Sequence, residues 1–458
     1  MADQTELLAS ALPEYRSGPI PDDVRTVARS SVLDWLGVTI AAASSEPVRG
    51  LRSVLRPEAA PGGSTLVGGG RTTPLLAARL NGTAGHVLDF DDVLASFGHP
   101  TVPVLPVALA LAEDTGSTGD ALLRAFIGGI ETEARVSDLV GARHYEAGFH
   151  STATLGVFGA AAAAAMLLEL DGSETQTALG LASLSSAGLK AAFGSWGKSL
   201  QVGHAAAEGL LAALLARAGA TGPQPGLGGT QGYLSTHRVT PDPTVREEVD
   251  APGRPWRTTD MLFKYHASCY GTHSSIESLL ALRTEAHGAD VREIRLGVSP
   301  RHIGMCDQTD ARTELQGKFS LAFTSALAWL RGSAGEADFR PESLADTAVQ
   351  DLATRVRVIE DAERDFSTTD VTVQLADGRT LRSAVNMAIP APAGELAAQW
   401  NRLETKFRRL TAPLLPSGVV DRLVAAVAGI DRSPTLTGLT AALAAAGDAL
   451  HAPTTVTR

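Results

Sequence analysis

The sequence predicts a mostly α protein, with a large all-helical domain into which a smaller α/β domain is inserted. Three observations predict it. Up to about Ala220, apolar residues recur at helical spacing and alanine abounds, as in the run Ala160 to Ala165, which favours helix over strand. Between Lys264 and about Pro392 the pattern changes to alternation around an Asp-Gly turn. From Glu395 onward helical spacing returns. The domains are therefore expected at 1–263 together with 395–458, and at 264–394.

Val24 to Ala43 carries Val27, Val32, Leu33, Leu36, Val38 and Ile40 on a helical stripe. Thr72-Thr73-Pro74 is a start signal, a hydroxyl cap before a proline in the first turn; the helix from Pro74 runs to about Thr83. Val102 to Ala112 is the next helix, and Thr118 caps another that runs to about Leu139. Gly156 to Leu170 is apolar nearly all round, so it should be a buried central helix. Asp171-Gly172 ends it, and Ser173 with Gln176 forms a capping box for its successor. Leu200 to Ala218 is helical and closed by Gly219. Gly222 to Gly232 (GPQPGLGGTQG) lacks the Walker lysine and a preceding strand, so it is a loop. Val291 to Val298 alternates as a strand. Val371 to Leu375 and Thr380 to Val385 flank Asp377-Gly378 as a hairpin. Phe319 to Leu330 is a helix between these strands. Trp400, Leu403, Phe407 and Leu410, then Val419 to Val427, mark the closing helices.

The chain has 458 residues, 44% of them hydrophobic and 19% charged, with a formal net charge of −11 and no basic stripe. That composition excludes a nucleic-acid partner, but leaves room for a small anionic substrate. Two cysteines, Cys269 and Cys306, form no CxxC motif, and a reducing compartment is expected. The N-terminal MADQTELLAS has no basic or apolar leader character. The longest apolar run, Leu155 to Leu168, is shorter than the roughly twenty residues of a membrane span. A cytoplasmic protein without a membrane partner is expected.

Four stretches concentrate chemistry. Gly85 to Pro106 (GHVLDFDDVLASFGHPTVPVLP) places Asp89, Asp91 and Asp92 between His86 and His99. It lacks the glycine and terminal glutamate of a calcium loop, and zinc would prefer more histidine or thiolate, so no metal is expected. Asp91 and Asp92 should bind neighbouring backbone N–H groups. Asp89 and His99 sit beside apolar residues, where an unpaired charge is costly, and are the functional candidates. Arg143 to Thr154 (RHYEAGFHSTAT) brings His144, Tyr145 and His150 to the start of the central helix, with Ser151 and Thr152 as caps. In Phe193 to Ala207 (FGSWGKSLQVGHAAA), Lys198 either snorkels to water or is held in a pocket as a base. His204 there should be a satisfied core histidine. Phe263 to Glu277 (FKYHASCYGTHSSIE) holds Lys264, His266, Cys269 and His273; a Cys–His nucleophile pair is conceivable, but no acyl-transfer signature accompanies it.

In this order, DFDD…HP…VLP, GFHSTAT before an alanine-rich helix, KSLQVGHAAAEG and the K…C…H…IE run resemble the MmgE/PrpD family, which includes 2-methylcitrate dehydratase, cis-aconitate decarboxylase and iminodisuccinate epimerase. GKFSLAFTSALA at Lys318 and the late KFRRL at Lys406 fit as well. The resemblance covers nearly the whole chain. It implies the same two-domain fold, a homodimer with its site between the domains, and no metal or organic cofactor. It also implies site roles for Asp89, His99, His150, Lys198 and Lys264. Three positions depart from the decarboxylase branch: Val93 stands for a threonine, Cys269 for a histidine and Phe323 for a tyrosine. These losses of polar groups weigh against cis-aconitate decarboxylase. The Asp-rich run also fits the dehydratase branch poorly. The resemblance then implies proton transfer at a carbon next to a carboxylate. The favoured expectation is an epimerase of an imino- or amino-dicarboxylate, with Lys198 as one base, and Tyr145, His99 or His150 as the opposing acid/base group. Lys264, Asp89, Cys269 and His273 would bind substrate. A hydro-lyase of a 2-hydroxy di- or tricarboxylate, and a catalytically silent scaffold, are the alternatives.

Overall fold

The structure is a computed structural model that describes residues 3–58 and 63–452. The chain forms two compact units, one running to Met261 and resuming at Ala391, the other spanning Leu262–Pro390. The mostly α class with a smaller α/β part holds.

In the first unit the helix Gly156–Leu167 is buried along its whole length. It packs between Gly119–Val140, Thr101–Asp114 and Gly197–Arg217. The Gly197–Arg217 helix is long and apolar enough to cross a membrane, but most of it is buried inside this unit, as expected of a core helix. It also packs along Pro74–His86. Glycine permits the close approach: a Cβ on Gly203 would collide with Thr83 Oγ1, and one on Gly82 would sit 3.2 Å from the Gly203 Cα. This crossing brings the end of one helix, at His86, beside the start of the other, at Lys198. The returning segment Leu396–Thr411 lies on Asp22–Ala42, where a Cβ on Gly37 would come 2.9 Å from the Phe407 ring.

Several local expectations change. Thr118 caps its helix through Ala121 N–H, as expected, but Thr73 makes no side-chain cap. The capping box is Asp171 with Glu174, not Ser173 with Gln176, because the helix begins at Gly172. The central helix ends at Leu167 and is preceded by a separate turn, Ser151–Thr154, with neither Ser151 nor Thr152 as a cap.

In the second unit Val291–Val298 is a central strand. It pairs parallel with Val356–Glu360 and antiparallel with Thr368–Leu375, which continues through the Asp377-Gly378 turn into Thr380–Asn386. Gly378 has φ +91°, as the tight hairpin turn requires. The strand Val356–Glu360 was not legible in the sequence. It is an edge strand with only Val356 buried, so it shows no apolar alternation. The helix His273–Ala286 packs on the hairpin, tied by Ser274 Oγ, which donates to Val385 O and accepts from Thr369 N–H.

Candidate active site

The site is built in the first unit from the turn that follows Pro74–His86. Asp89 adopts φ +50°, a left-handed conformation that aspartate tolerates better than most residues. Its N–H donates to His86 O at 3.2 Å. Lys406, from the C-terminal segment, holds the turn from behind. Its Nζ donates to the Phe90 carbonyl at 2.6 Å, lies 3.8 Å from the Phe90 ring centroid and pairs with Asp34 Oδ1 at 2.6 Å. The loop then closes through a Leu94–Gly98 bridge. Gly98 has φ +130°, and a Cβ there would meet Thr152 Oγ1 at 2.8 Å. That hydroxyl accepts from the His99 backbone N–H at 3.1 Å, joining the Asp-rich loop to the GFHSTAT stretch.

Three stretches far apart in sequence thereby meet. Lys198 Nζ lies 2.7 Å from Asp89 Oδ1, and His99 Nε2 lies 3.4 Å from the same oxygen. The other ring nitrogen of His99 is 3.0 Å from Asp91 Oδ2. His86 Nδ1 donates to Asp91 Oδ2 at 2.9 Å, and the His86 ring stacks on His150 at 5.7 Å. His150 Nδ1 is 2.5 Å from Gln201 Nε2. Phe193 closes the group, edge-on to His150 at 5.1 Å and 5.3 Å from Lys198 Nζ. Asp89, His99 and Lys198 keep partial exposure, whereas His86 and Asp91 are buried.

The electrostatics are layered. Burial alone would raise Asp91, but the contacts with His86 and His99 hold it well below the usual carboxylate range. Burial lowers His86 to about 4 against the pull of Asp91, so it is a neutral N–H donor. Burial also lowers His150 well below its ordinary value, aided by His86 and Lys198. Beneath this layer, burial and then the Asp34 charge push Asp92 up to about 8, while Thr101 Oγ1 contacts it at 2.5 Å. Glu133, fully buried, is raised well above its ordinary value by burial and by Asp92. Chemically, the arrangement offers a cation at Lys198, a histidine backed by an ionised carboxylate as in acid/base dyads, and a buried floor of neutral acids.

The expected residues fall as follows. Asp89, His99, His150 and Lys198 belong to one cluster. Lys198 neither snorkels freely nor stands alone, since Asp89 holds it. Asp91 does not cap backbone N–H groups as expected; it binds two histidines, so it is a site residue that sequence reasoning missed. Asp92 does reach the Thr101 N–H, at 3.4 Å. His86, Gln201, Phe193, Asp34 and Lys406 were also missed as site components; Gln201, Phe193, Asp34 and Lys406 meet partners from distant segments that no spacing reveals, whereas His86 binds Asp91 in its own loop. His204 is not a core histidine: it is partly exposed, 3.6 Å from Glu208. His144 is structural, bonded to His237 O at 3.0 Å and to Thr154 Oγ1 at 2.8 Å. Tyr145 lies against Lys190, whose Nζ is 3.9 Å from its ring centroid.

His86, Asp89, Asp91 and His99 each offer a ligand atom within 4.8 Å of the others, a constellation that metals use. Lys198 already brings a positive charge to Asp89, and His86 an N–H to Asp91, so a divalent cation would have to displace both.

In the second unit Lys264 is buried, His266 Nε2 lies 2.9 Å from Glu277 Oε1, and His273 is buried 5.1 Å from both the His266 and Tyr270 rings. Cys269 Sγ lies 3.2 Å from Cys306 Sγ. Phe323 is buried.

Residues 6–245 match the MmgE/PrpD N-terminal domain and residues 266–432 the MmgE/PrpD C-terminal domain. The chain is 27% identical to the cis-aconitate decarboxylase-like protein oryM of Aspergillus oryzae, over 95% of this chain and 96% of that one. It is 26% identical to a cis-aconitate decarboxylase of Aspergillus terreus over 90% of each chain. With the human cis-aconitate decarboxylase it shares 32% identity over 48% of this chain and 47% of the relative. With both family domains matched in order along nearly its whole length, the chain belongs to the MmgE/PrpD family.

Proposed function

We propose that this protein is an acid/base enzyme that moves a proton at the carbon next to a carboxylate of a di- or tricarboxylate. The observation that carries this reading is the continuous chain Lys198–Asp89–His99–Asp91. Such a C–H is weakly acidic, so removal of its proton needs a positioned base and a cation facing the charge that develops. His99, backed by the ionised Asp91, is the group suited to carry the proton. Lys198 sets the cation beside it, with Asp89 orienting both. This revises the role expected of Lys198, because an ammonium paired at 2.7 Å with a carboxylate serves better as donor than as base. The reading assigns Lys264 to substrate binding on the family resemblance, and Cys269 and His273 to substrate binding and Tyr145 to a second acid on their places in the polar stretches of the sequence.

Within this reading we favour epimerisation of an imino- or amino-dicarboxylate. The side chains at Val93, Cys269 and Phe323 support it: a valine, a thiol in contact with another thiol and a buried phenyl ring supply few donors for a leaving group. A lyase acting on a tricarboxylate is the second reading, supported by the relatives named cis-aconitate decarboxylase. One experiment separates them: purified protein in D2O with iminodisuccinate, aspartate, 2-methylcitrate and cis-aconitate, followed by NMR. Deuterium at the α-carbon with inversion and no alkene or CO2 supports the epimerase. Itaconate, or a dehydrated acid, supports the lyase. No exchange with any dicarboxylate or tricarboxylate sinks the acid/base reading and leaves a binding protein.

A further inference from the structure

The chain has two cysteines, separated by 37 residues, and the fold brings their sulfurs to 3.2 Å. We propose that Cys269 and Cys306 form a redox-modification site, closing to a reversible disulfide under peroxide. In the structure the two are not joined in a disulfide. Each is fixed through the backbone to the same neighbouring segment. Cys269 N–H donates to Lys318 O at 2.9 Å, and Cys306 O accepts from Leu321 N–H at 2.8 Å. Cys306 N–H also donates to His302 O at 2.8 Å. The two sulfurs are thus held facing each other by short backbone hydrogen bonds, with little chain to reorganise before a bond can form. Two buried thiols could be simple core residues. What separates this pair from that role is its asymmetry.

Cys269 is 8% exposed and Cys306 is fully buried, so peroxide meets Cys269 first. The Cys306 S–H donates to Cys269 Sγ, which leaves Cys306 as the sulfur behind it. Contact with Cys269 and burial hold the Cys306 thiol well above its ordinary range, so it stays protonated until it attacks. In the first step Cys269 sulfur attacks one oxygen of hydrogen peroxide, the O–O bond breaks, and Cys269 sulfenic acid and water form. In the second, Cys306 sulfur attacks the sulfenic sulfur and the S–O bond breaks. The Cys306 proton leaves with the hydroxide as a second water. Two thiols lose two electrons and one peroxide is reduced to two waters. A dithiol reductant reverses the bond by exchange. The inference does not depend on the identity of the substrate.

The test is peroxide treatment of the full-length native protein, alkylation of remaining thiols, and non-reducing peptide mapping by mass spectrometry. The expected result is a single cross-linked peptide pair containing Cys269 and Cys306, both thiols lost together, and full recovery with dithiothreitol. In Cys306→Ser the resolving sulfur is gone. Cys269 should then accumulate as a dimedone-trapped sulfenic acid at least tenfold above wild type, with the fold checked by circular dichroism. Persistence of both thiols in the folded chain under excess peroxide overturns the proposal, as does oxidation of Cys269 to sulfinic acid without a cross-link in the wild type.

Discussion

Lys406 Nζ donates to the Phe90 carbonyl at 2.6 Å across 316 residues of chain. Through that contact the C-terminal segment fixes the left-handed turn that presents Asp89. Lys406 is also the partner of Asp34 in a buried pair, where burial lowers its pKa and Asp34 restores part of it. Lys406→Met should destabilise the protein by about 3–5 kcal/mol, the cost of stranding one member of a buried pair. Adding Asp34→Leu should recover much of that stability without restoring turnover, since Phe90 O still lacks its donor. Urea melts and steady-state rates check both; full activity in Lys406→Met would remove it as a positioning residue.

Lys198→Ala should lower deuterium exchange at the substrate α-carbon by about a hundredfold or more. Its stability should change by no more than about 1 kcal/mol, because the Lys198–Asp89 pair is partly exposed and screened by solvent. Retained exchange, with the protein folded, would exclude Lys198 from proton transfer.

Asp91→Asn replaces the carboxylate that His86 and His99 share. His99 loses the negative charge behind it, so kcat should fall by about a hundredfold to ten-thousandfold with KM nearly unchanged. A rise in KM at constant kcat would instead make Asp91 a ground-state binding group.

Asp92 rises from an ordinary 3.8 to about 8 through burial and the nearby Asp34 charge. Between those values the folded state holds a proton that the unfolded state has released, so stability is greatest below the lower value and declines as pH climbs to about 8. His86 works in the other direction. Lowered to about 4 from 6.5, it leaves stability intact above 6.5 and erodes it as pH falls toward 4. The melting temperature of the wild type should therefore decline between pH 6.5 and 8.5, and Asp92→Asn should flatten that decline. An unchanged slope in the variant would show that Asp92 ionises freely in the folded state.

Much of the fold was legible because burial leaves a period in the sequence. The Gly156–Leu167 helix is apolar on every side and buried on every side, and the Asp377-Gly378 turn dictates a hairpin. The strand Val356–Glu360 was not legible, since an edge strand with one buried side chain has no period to read. Within the site, Asp89, His99, His150 and Lys198 stand out as polar groups in apolar surroundings.

By itself, then, the sequence determined the helical and α/β character of the two units and the polar residues that could do acid/base chemistry. Only the tertiary structure decided how those residues are paired. It turned Asp91 from a loop anchor into the support of two histidines, gave Lys198 a carboxylate partner, put Lys406 behind Phe90 and set Cys269 against Cys306. The physical reason is that helical and strand periods are local, imposed within a few residues by backbone geometry. A charge's partner is whichever group, in the same loop as His86 is for Asp91 or far along the chain as Asp34 is for Lys406, burial places within about 3 Å of it.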